Sequence, residues 1–186
     1  KTTYLINETL RVSANGDRVL LLSYTRANRD EIQRSFGILP HGLTLSTWFS
    51  FLLSDGVRPF RHPAIPERVI GITNNEKIRP KRYASKNTHA HYCPTNGIVY
   101  SERLAELSIA CDDASNGMVF DRIAHRFDLV LIDEGQDLCG YDYDVVQRIV
   151  SSGCDLSIVG DPRQQTYRTS MSRLHSKYHS FFDYAD

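Results

Sequence analysis

Two adjacent carboxylates, Asp133 and Glu134, directly follow the apolar residues 129–132. In enzymes that hydrolyse nucleoside triphosphates, one such carboxylate holds magnesium and the next orients and deprotonates the attacking water. A solvated acidic loop also carries adjacent acidic residues. The pair therefore indicates a candidate site for magnesium-dependent phosphoryl chemistry, with an ordinary loop as the alternative.

A second polar cluster, at 160–167, follows the apolar residues 155–159. Gly160 permits close approach of a backbone, and the amide of Gln164 can sense a terminal phosphate or position a water molecule. Because Asp161-Pro162 is also a turn signal, an ordinary turn is the alternative here.

The sequence opens with Lys1-Thr2-Thr3, which leads directly into a helical pattern. A phosphate-binding loop ends in Gly-Lys-Ser/Thr at the start of a helix, where free backbone N–H groups and the helix dipole favour phosphate. Lys1 and Thr2 fit the last two positions of such a loop, without its glycines. Since the first residue is not Met, we expect the sequence to be a fragment.

The elements that must position these residues are predicted from the apolar pattern. Non-alternating apolar segments are typical of parallel strands that are buried on both faces. The candidate strands are 18–25, 42–46, 127–134 and 155–161. The helical patterns are 2–12, 28–36, 100–110 and 143–150. Strands that alternate with helices predict an α/β fold, whose ligands bind at the carboxyl ends of the strands.

The charge of this chain of 186 residues is zero overall but unevenly distributed, with 22 Lys and Arg against 22 Asp and Glu. Between residues 58 and 103, nine basic residues stand against three acidic ones, a net charge of +6. Prolines and the lack of periodicity at 55–96 predict an insert that projects from the α/β body. A basic insert suggests contact with a polyanion, and a solvated loop is the alternative.

Other classes of protein and site fit the sequence poorly. The longest aliphatic runs have four residues, whereas a membrane-spanning helix needs about 20. The absence of any CxxC pair predicts reduced thiols in a cytoplasmic protein. Zinc is a minor alternative at His89, His91 and Cys93, which would share one face of a strand but have no clear fourth ligand.

Taken together, the chain resembles the first RecA-like domain of UvrD/Rep-type superfamily-one DNA helicases. The matching motifs are Lys-Thr-Thr at 1–3, Leu-Leu-Ser-Tyr-Thr-Arg at 21–26, Thr-Trp-Phe-Ser-Phe at 47–51, Asp-Glu-Gly-Gln-Asp at 133–137 and Gly-Asp-Pro-Arg-Gln-Gln-Thr-Tyr at 160–167. The resemblance covers 1–54 and 120–170. It implies a RecA-like P-loop NTPase fold with a motor domain split into 1–54 and 97–186 around the basic insert 55–96.

The resemblance also implies roles for the matched residues. Lys1, Thr2 and Thr3 would bind ATP, and the Thr2 hydroxyl would hold Mg²⁺ together with Asp133. Glu134 would be the catalytic base, and Gln164 would couple the γ-phosphate to the DNA-binding surface. The residues that would contact single-stranded DNA are Tyr24, Thr25, Arg26, Thr47, Trp48, Phe49 and Tyr167. For Trp48, burial in the core is the alternative, because Trp48, Phe51 and Leu52 lie at helical spacing.

The chain departs from the family pattern at three places. Thr47-Trp48-Phe49-Ser50 stands where the family reads Thr-Phe-His-Ser, so the His contact is lost. Gly135 conservatively replaces an alanine. Thr169 occupies a position where an aromatic residue is common.

The function that the resemblance implies is that of an ATP-dependent DNA helicase or translocase. Single-stranded DNA would be its partner, with duplex DNA at the insert, and a second RecA-like domain of the same polypeptide would complete the ATP site. Without that domain, the fragment alone should be inactive. Two alternatives stay open, namely a nucleic-acid-binding or regulatory module that does not hydrolyse ATP and a P-loop phosphotransferase.

Overall fold

The computed structural model describes residues 2–60, 62–75, 78, 80, 84–86 and 88–161. The strands are β1 Val19–Ser23, β2 Leu43–Thr47, β3 Gly71–Thr73, β4 Ile98–Tyr100, β5 Leu129–Asp133 and β6 Asp155–Val159. The helices are α1 Thr2–Ala14, α2 Arg26–Phe36, α3 Trp48–Phe51, α4 His89–Tyr92, α5 Leu104–Ala114, α6 Met118–Arg126 and α7 Tyr141–Ser151. Within these residues, no helix has the length and apolar character needed to cross a membrane.

The central sheet has four strands in the order β2-β1-β5-β6, and every pair in it is parallel. β1 and β5 are buried along their whole length. Their residues are apolar on both faces because helices cover the sheet from both sides. The predicted α/β fold with a parallel sheet flanked by helices is therefore confirmed.

Alternate residues of the central strands face two separate helical layers, as the two-residue repeat of a strand requires. On one face, α1 and α2 pack their buried residues against Val19, Leu21 and Leu131. On the other face, α3, α5, α6 and α7 pack in the larger cluster that contains Leu20 and Leu22. The four predicted strands and three of the predicted helices lie within two residues of observed elements. The fourth predicted helix, 100–110, is shifted by four residues from α5, and its first residue belongs to β4.

Helix α6 was not predicted from the sequence. Gly117, at its N-cap, has a left-handed backbone and supplies no side-chain cap. Asp112 of the preceding helix caps α6 instead, because its Oδ1 accepts from the N–H groups of Val119 at 3.1 Å and Phe120 at 3.3 Å. A cap that comes from another helix leaves no local start signal for α6.

The described part of 55–96 packs against the main core. Ile65, Val69 and Tyr92 are buried in the same cluster as the helices of the larger layer. The boundary proposed between residues 54 and 55 falls inside the π-helical segment Leu52–Val57, which continues α3. Five of the basic residues of the insert lie outside the described residues, so the basic insert subdomain stays a prediction: Arg61, Lys77, Arg79, Lys81 and Arg82.

The histidines considered as zinc ligands lie in the short helix α4 and not in a strand. His89 Nε2 lies 2.5 Å from Glu67 Oε1, whereas His91 Nε2 lies 3.0 Å from Glu106 Oε2. They therefore contact carboxylates on different elements. In the described ranges, no group of three or more His, Cys, Asp or Glu residues is arranged to hold a metal ion.

Gly56 makes a very close contact with α5. A methyl group added at Gly56 would lie 2.2 Å from Ser108 Oγ and 3.1 Å from Ser108 Cβ, and both residues are buried. We expect Gly56→Ala to lower the free energy of unfolding by about 2 kcal/mol, because the buried Ser108 side chain must rotate and the two segments must move slightly apart. Urea unfolding measures this change.

Ser108→Ala provides the matched control for this prediction. Ser108 Oγ is buried and has no hydrogen-bond partner among the described residues, so this variant alone should be near neutral. In the Ser108→Ala background, Gly56→Ala should cost less, since the shorter of the two contacts is gone. An equal cost in both backgrounds would contradict the steric explanation.

Candidate active site

Residues from all four strands of the main sheet meet at its carboxyl edge. In the register, Ser23 pairs with Thr47 and Asp133 pairs with Val159, at the last position of each strand. Because the strands run in the same direction, the segments that follow them leave the sheet at one edge. Six of the predicted site residues lie in these segments, which are 24–26, 48–50, 134–137 and 160–161.

The length of α1 allows its first turn to reach the same edge. The helix has 13 residues and leads into β1 through the four residues 15–18. A helix of this length spans about 20 Å, and β1 is about 17 Å long, so a helix that returns along β1 ends at its carboxyl edge. Thr2 is half-buried and Thr3 is exposed. The free N–H groups of this first turn can bind phosphate, and Lys1 lies outside the described residues.

The two predicted carboxylates differ in burial and in backbone conformation. Asp133 is the last residue of β5 and is 4% exposed. Glu134 is half-buried and has φ 57° and ψ 44°, in the left-handed region. For a non-glycine residue this conformation costs about 1 to 2 kcal/mol and often marks an active site. The turn directs the chain away from the strand axis immediately after Asp133.

Gln136 connects Glu134 to the loop that follows β6. Its side chain is buried, and Nε2 donates a hydrogen bond to Glu134 Oε2 at 2.5 Å. Its Oε1 accepts from the backbone N–H of Asp161 at 2.9 Å. A role for Gln136 could not be predicted from the sequence, because its partner Asp161 lies 25 residues further along the chain.

Two of the residues predicted to contact DNA are helix caps. Thr25 Oγ1 accepts from the N–H of Asn28 at 3.2 Å, and Thr47 Oγ1 accepts from the N–H of Ser50 at 3.2 Å. Thr25 is exposed and Thr47 is buried. Arg26, the first residue of α2, is exposed. The starts of α2 and α3 therefore lie at the carboxyl edge, each with a first-turn N–H group capped by a threonine hydroxyl.

The predicted aromatic contacts with DNA separate into buried and accessible rings. Trp48 is 1% exposed, and its Nε1 donates to Asp142 Oδ1 at 2.8 Å. Trp48 is therefore a core residue in this structure, and its ring cannot stack on a base. Tyr24 is also buried, with its ring edge-on to Phe49 at 5.3 Å between centroids. Phe49 packs against the core but is half-buried, which makes it the most exposed of these three aromatic residues.

Asp142 is a second buried polar residue of this region that was not predicted from the sequence. It lies in the first turn of α7, and its carboxylate accepts from Trp48 Nε1 and from the backbone N–H of Cys139 at 3.1 Å. Burial raises the pKa of the Asp142 carboxyl from 3.8 to about 6, against the opposing effect of these two hydrogen bonds. No local pattern signals the pair, because its partners are 94 residues apart.

The donor set at the edge fits magnesium. Thr2 provides a hydroxyl and Asp133 a carboxylate, and both are hard oxygen ligands of the kind that Mg²⁺ prefers. Gln164 and Tyr167 lie outside the described residues. Their roles, and those of the other residues assigned by resemblance, stay predictions.

The comparison with known families supports this interpretation of the edge. The chain matches the family model of the UvrD/REP helicase N-terminal domain over residues 72–178, more than half of its length. The matched range contains the motifs at 133–137 and 160–167, and also 72–119, where the sequence analysis found no motif. A search of curated proteins finds no match. The chain belongs to the UvrD/REP helicase N-terminal domain family.

Proposed function

We propose that this chain carries the ATP-hydrolysing site of a DNA helicase or translocase that moves along single-stranded DNA. The observation that carries the proposal is the conformation of Glu134. This residue has a left-handed backbone directly after the buried Asp133, and Gln136 holds its carboxylate by a hydrogen bond. Membership of the helicase family supports the same assignment.

In the proposed reaction, Glu134 orients a water molecule and takes its proton. The water oxygen forms a bond to the γ-phosphorus while the bond to the β-phosphate oxygen breaks, which releases ADP and phosphate. A magnesium ion held by Asp133 and Thr2 would neutralise charge on the phosphates. Lys1 and the first turn of α1 would bind the β- and γ-phosphates.

The proposed DNA surface lies at the starts of α2 and α3. Arg26 provides an exposed cation for the phosphate backbone, and the accessible part of Phe49 provides a platform for a base. Gln164 is proposed to couple the γ-phosphate to this surface. The insert 55–96 is proposed to contact duplex DNA, and a second RecA-like domain to complete the ATP site.

The test is ATP hydrolysis by the complete protein with and without a single-stranded oligonucleotide. We expect the rate to rise severalfold with DNA, and the stimulation to weaken as salt is added, since phosphate contacts are salt-dependent. Absence of hydrolysis under both conditions would favour the binding or regulatory module. Phosphate transfer to a small acceptor, with no response to DNA, would favour a phosphotransferase.

Arg26→Ala tests the proposed DNA surface. We expect this variant to require a severalfold higher oligonucleotide concentration for half-maximal stimulation, because one exposed phosphate contact is lost. Arg29→Ala in the same helix is the matched control, since the Arg29 guanidinium pairs with Asp30 at 2.5 Å. Equal effects of the two variants would contradict a specific role of Arg26.

A further inference from the structure

We propose that Gln136 is a positioning residue for ATP hydrolysis, which fixes the Glu134 carboxylate and ties it to the loop after β6. The inference rests on the proposed function, because it gives Gln136 a part in the reaction of Glu134. It goes beyond that function by naming the group that aligns the base. Gln136 contacts neither the nucleotide nor the reacting water in this proposal.

Both ends of the Gln136 amide are used, and its two neighbours fix its orientation. Nε2 faces the Glu134 carboxylate at 2.5 Å and Oε1 faces the Asp161 N–H at 2.9 Å. A carboxylate only accepts and a backbone N–H only donates, so the opposite orientation of the amide would satisfy neither. A Gln side chain can therefore bridge these two groups, whereas a Glu side chain would repel the carboxylate.

The hydrogen bond from Gln136 restrains the Glu134 carboxylate. Glu134 stands outside β5, in a left-handed turn. A hydrogen bond to a charged group is stronger than one between neutral groups, and Gln136 is 3% exposed, so water competes little for its amide. Rotation of the Glu134 carboxylate is thereby limited, which favours alignment with the attacking water.

The second hydrogen bond makes this alignment depend on the loop after β6. Asp161 follows β6 by two residues and precedes Gln164, the predicted γ-phosphate sensor, by three. A displacement of the Asp161 N–H would move Oε1 of Gln136, and with it the donor that holds Glu134. The Gln136 side chain thus links the base to the strand that leads to Gln164.

Two substitutions of Gln136 test this inference in the complete protein. Gln136→Glu keeps the acceptor and loses the donor, and Gln136→Met keeps the length and loses both. We expect kcat of the DNA-stimulated ATPase to fall by about 10- to 100-fold in each, with KM for ATP within about threefold. Gln33→Met, at an exposed position in α2, is the matched control and should keep the wild-type kcat.

A double variant separates positioning from a general structural role. Because Gln136 acts through Glu134, Gln136→Met should cause no further loss of kcat in a Glu134→Gln background. Thermal unfolding of each variant shows whether the fold is kept. The inference would be overturned if the reductions of kcat caused by the two substitutions add in the double variant. It would also be overturned if the Gln136 variants raise KM for ATP by the same factor by which they lower kcat.

The same set of variants distinguishes two failures. If Glu134→Gln hydrolyses ATP at the wild-type rate, both the proposed function and the inference are wrong. If Glu134→Gln is inactive while both Gln136 variants keep a normal kcat, the proposed function stands and only the inference is wrong.

Discussion

Glu134→Gln is expected to lower the rate of ATP hydrolysis of the complete protein by about 100- to 10,000-fold. The amide has the size of the carboxylate but cannot accept the proton of the attacking water. It can still accept the hydrogen bond that Gln136 Nε2 donates to Glu134 Oε2, so the local structure should be kept. Steady-state ATPase with single-stranded DNA measures the loss.

Binding of ATP by the same variant separates the base from the nucleotide site. Since the phosphates are assigned to Lys1 and the first turn of α1, a fluorescent ATP analogue should bind Glu134→Gln about as tightly as the wild type. Glu31→Gln, an exposed change of the same kind in α2, controls for the lost charge. Unchanged hydrolysis by Glu134→Gln would exclude Glu134 as the base and remove the main support for a motor.

The sheet could be predicted from the sequence because its signal is local. Residues 129–132 are apolar without alternation, and a buried parallel strand needs little else to be recognised. The carboxyl edge followed from this, since parallel strands end at one edge. The register confirms the shared edge, in which Ser23 pairs with Thr47 and Asp133 with Val159.

The links within the site could not be predicted because their partners are distant in sequence. The position of Trp48 in the sequence was compatible both with packing in the core and with stacking on a DNA base. Its burial and its hydrogen bond to the buried Asp142 carboxylate show that it packs in the core. Gln136 lies inside a recognised motif, but its second partner, Asp161, follows another strand. Likewise, the left-handed backbone of Glu134 is set by the turn around it and leaves no mark in the residue types.

The ionisation of Asp142 should make stability depend on pH. The pKa of its carboxyl is about 6 in the folded chain, whereas the ordinary value, which applies to the unfolded chain, is 3.8. The folded state therefore binds the proton more readily than the unfolded state. Above about pH 6 the buried charge costs stability, and this cost is relieved as the pH falls towards 4. The shift corresponds to about 3 kcal/mol when fully expressed.

Asp142→Asn isolates this contribution, because the amide does not titrate. We expect the free energy of unfolding of the wild type, relative to Asp142→Asn, to increase by about 2 to 3 kcal/mol between pH 7.5 and pH 4. Urea unfolding across this range measures the difference. The prediction concerns only how the difference in stability changes with pH. Its absolute size is not predicted, because the amide also changes the hydrogen bond from the Cys139 N–H at every pH.

Trp48 provides an independent measurement, as the chain contains one tryptophan and its Nε1 donates to Asp142. Protonation of the carboxyl should change the fluorescence of Trp48 with a midpoint near pH 6. Asp121→Asn, which removes an exposed carboxylate in α6, is the control. It shows how much of the change of stability with pH arises from net charge alone. A fluorescence midpoint below pH 4.5, together with parallel stability curves for the wild type and Asp142→Asn, would mean that solvent reaches this carboxylate. In that case the hydrogen bond between Trp48 of α3 and Asp142 of α7 would not be shielded from water.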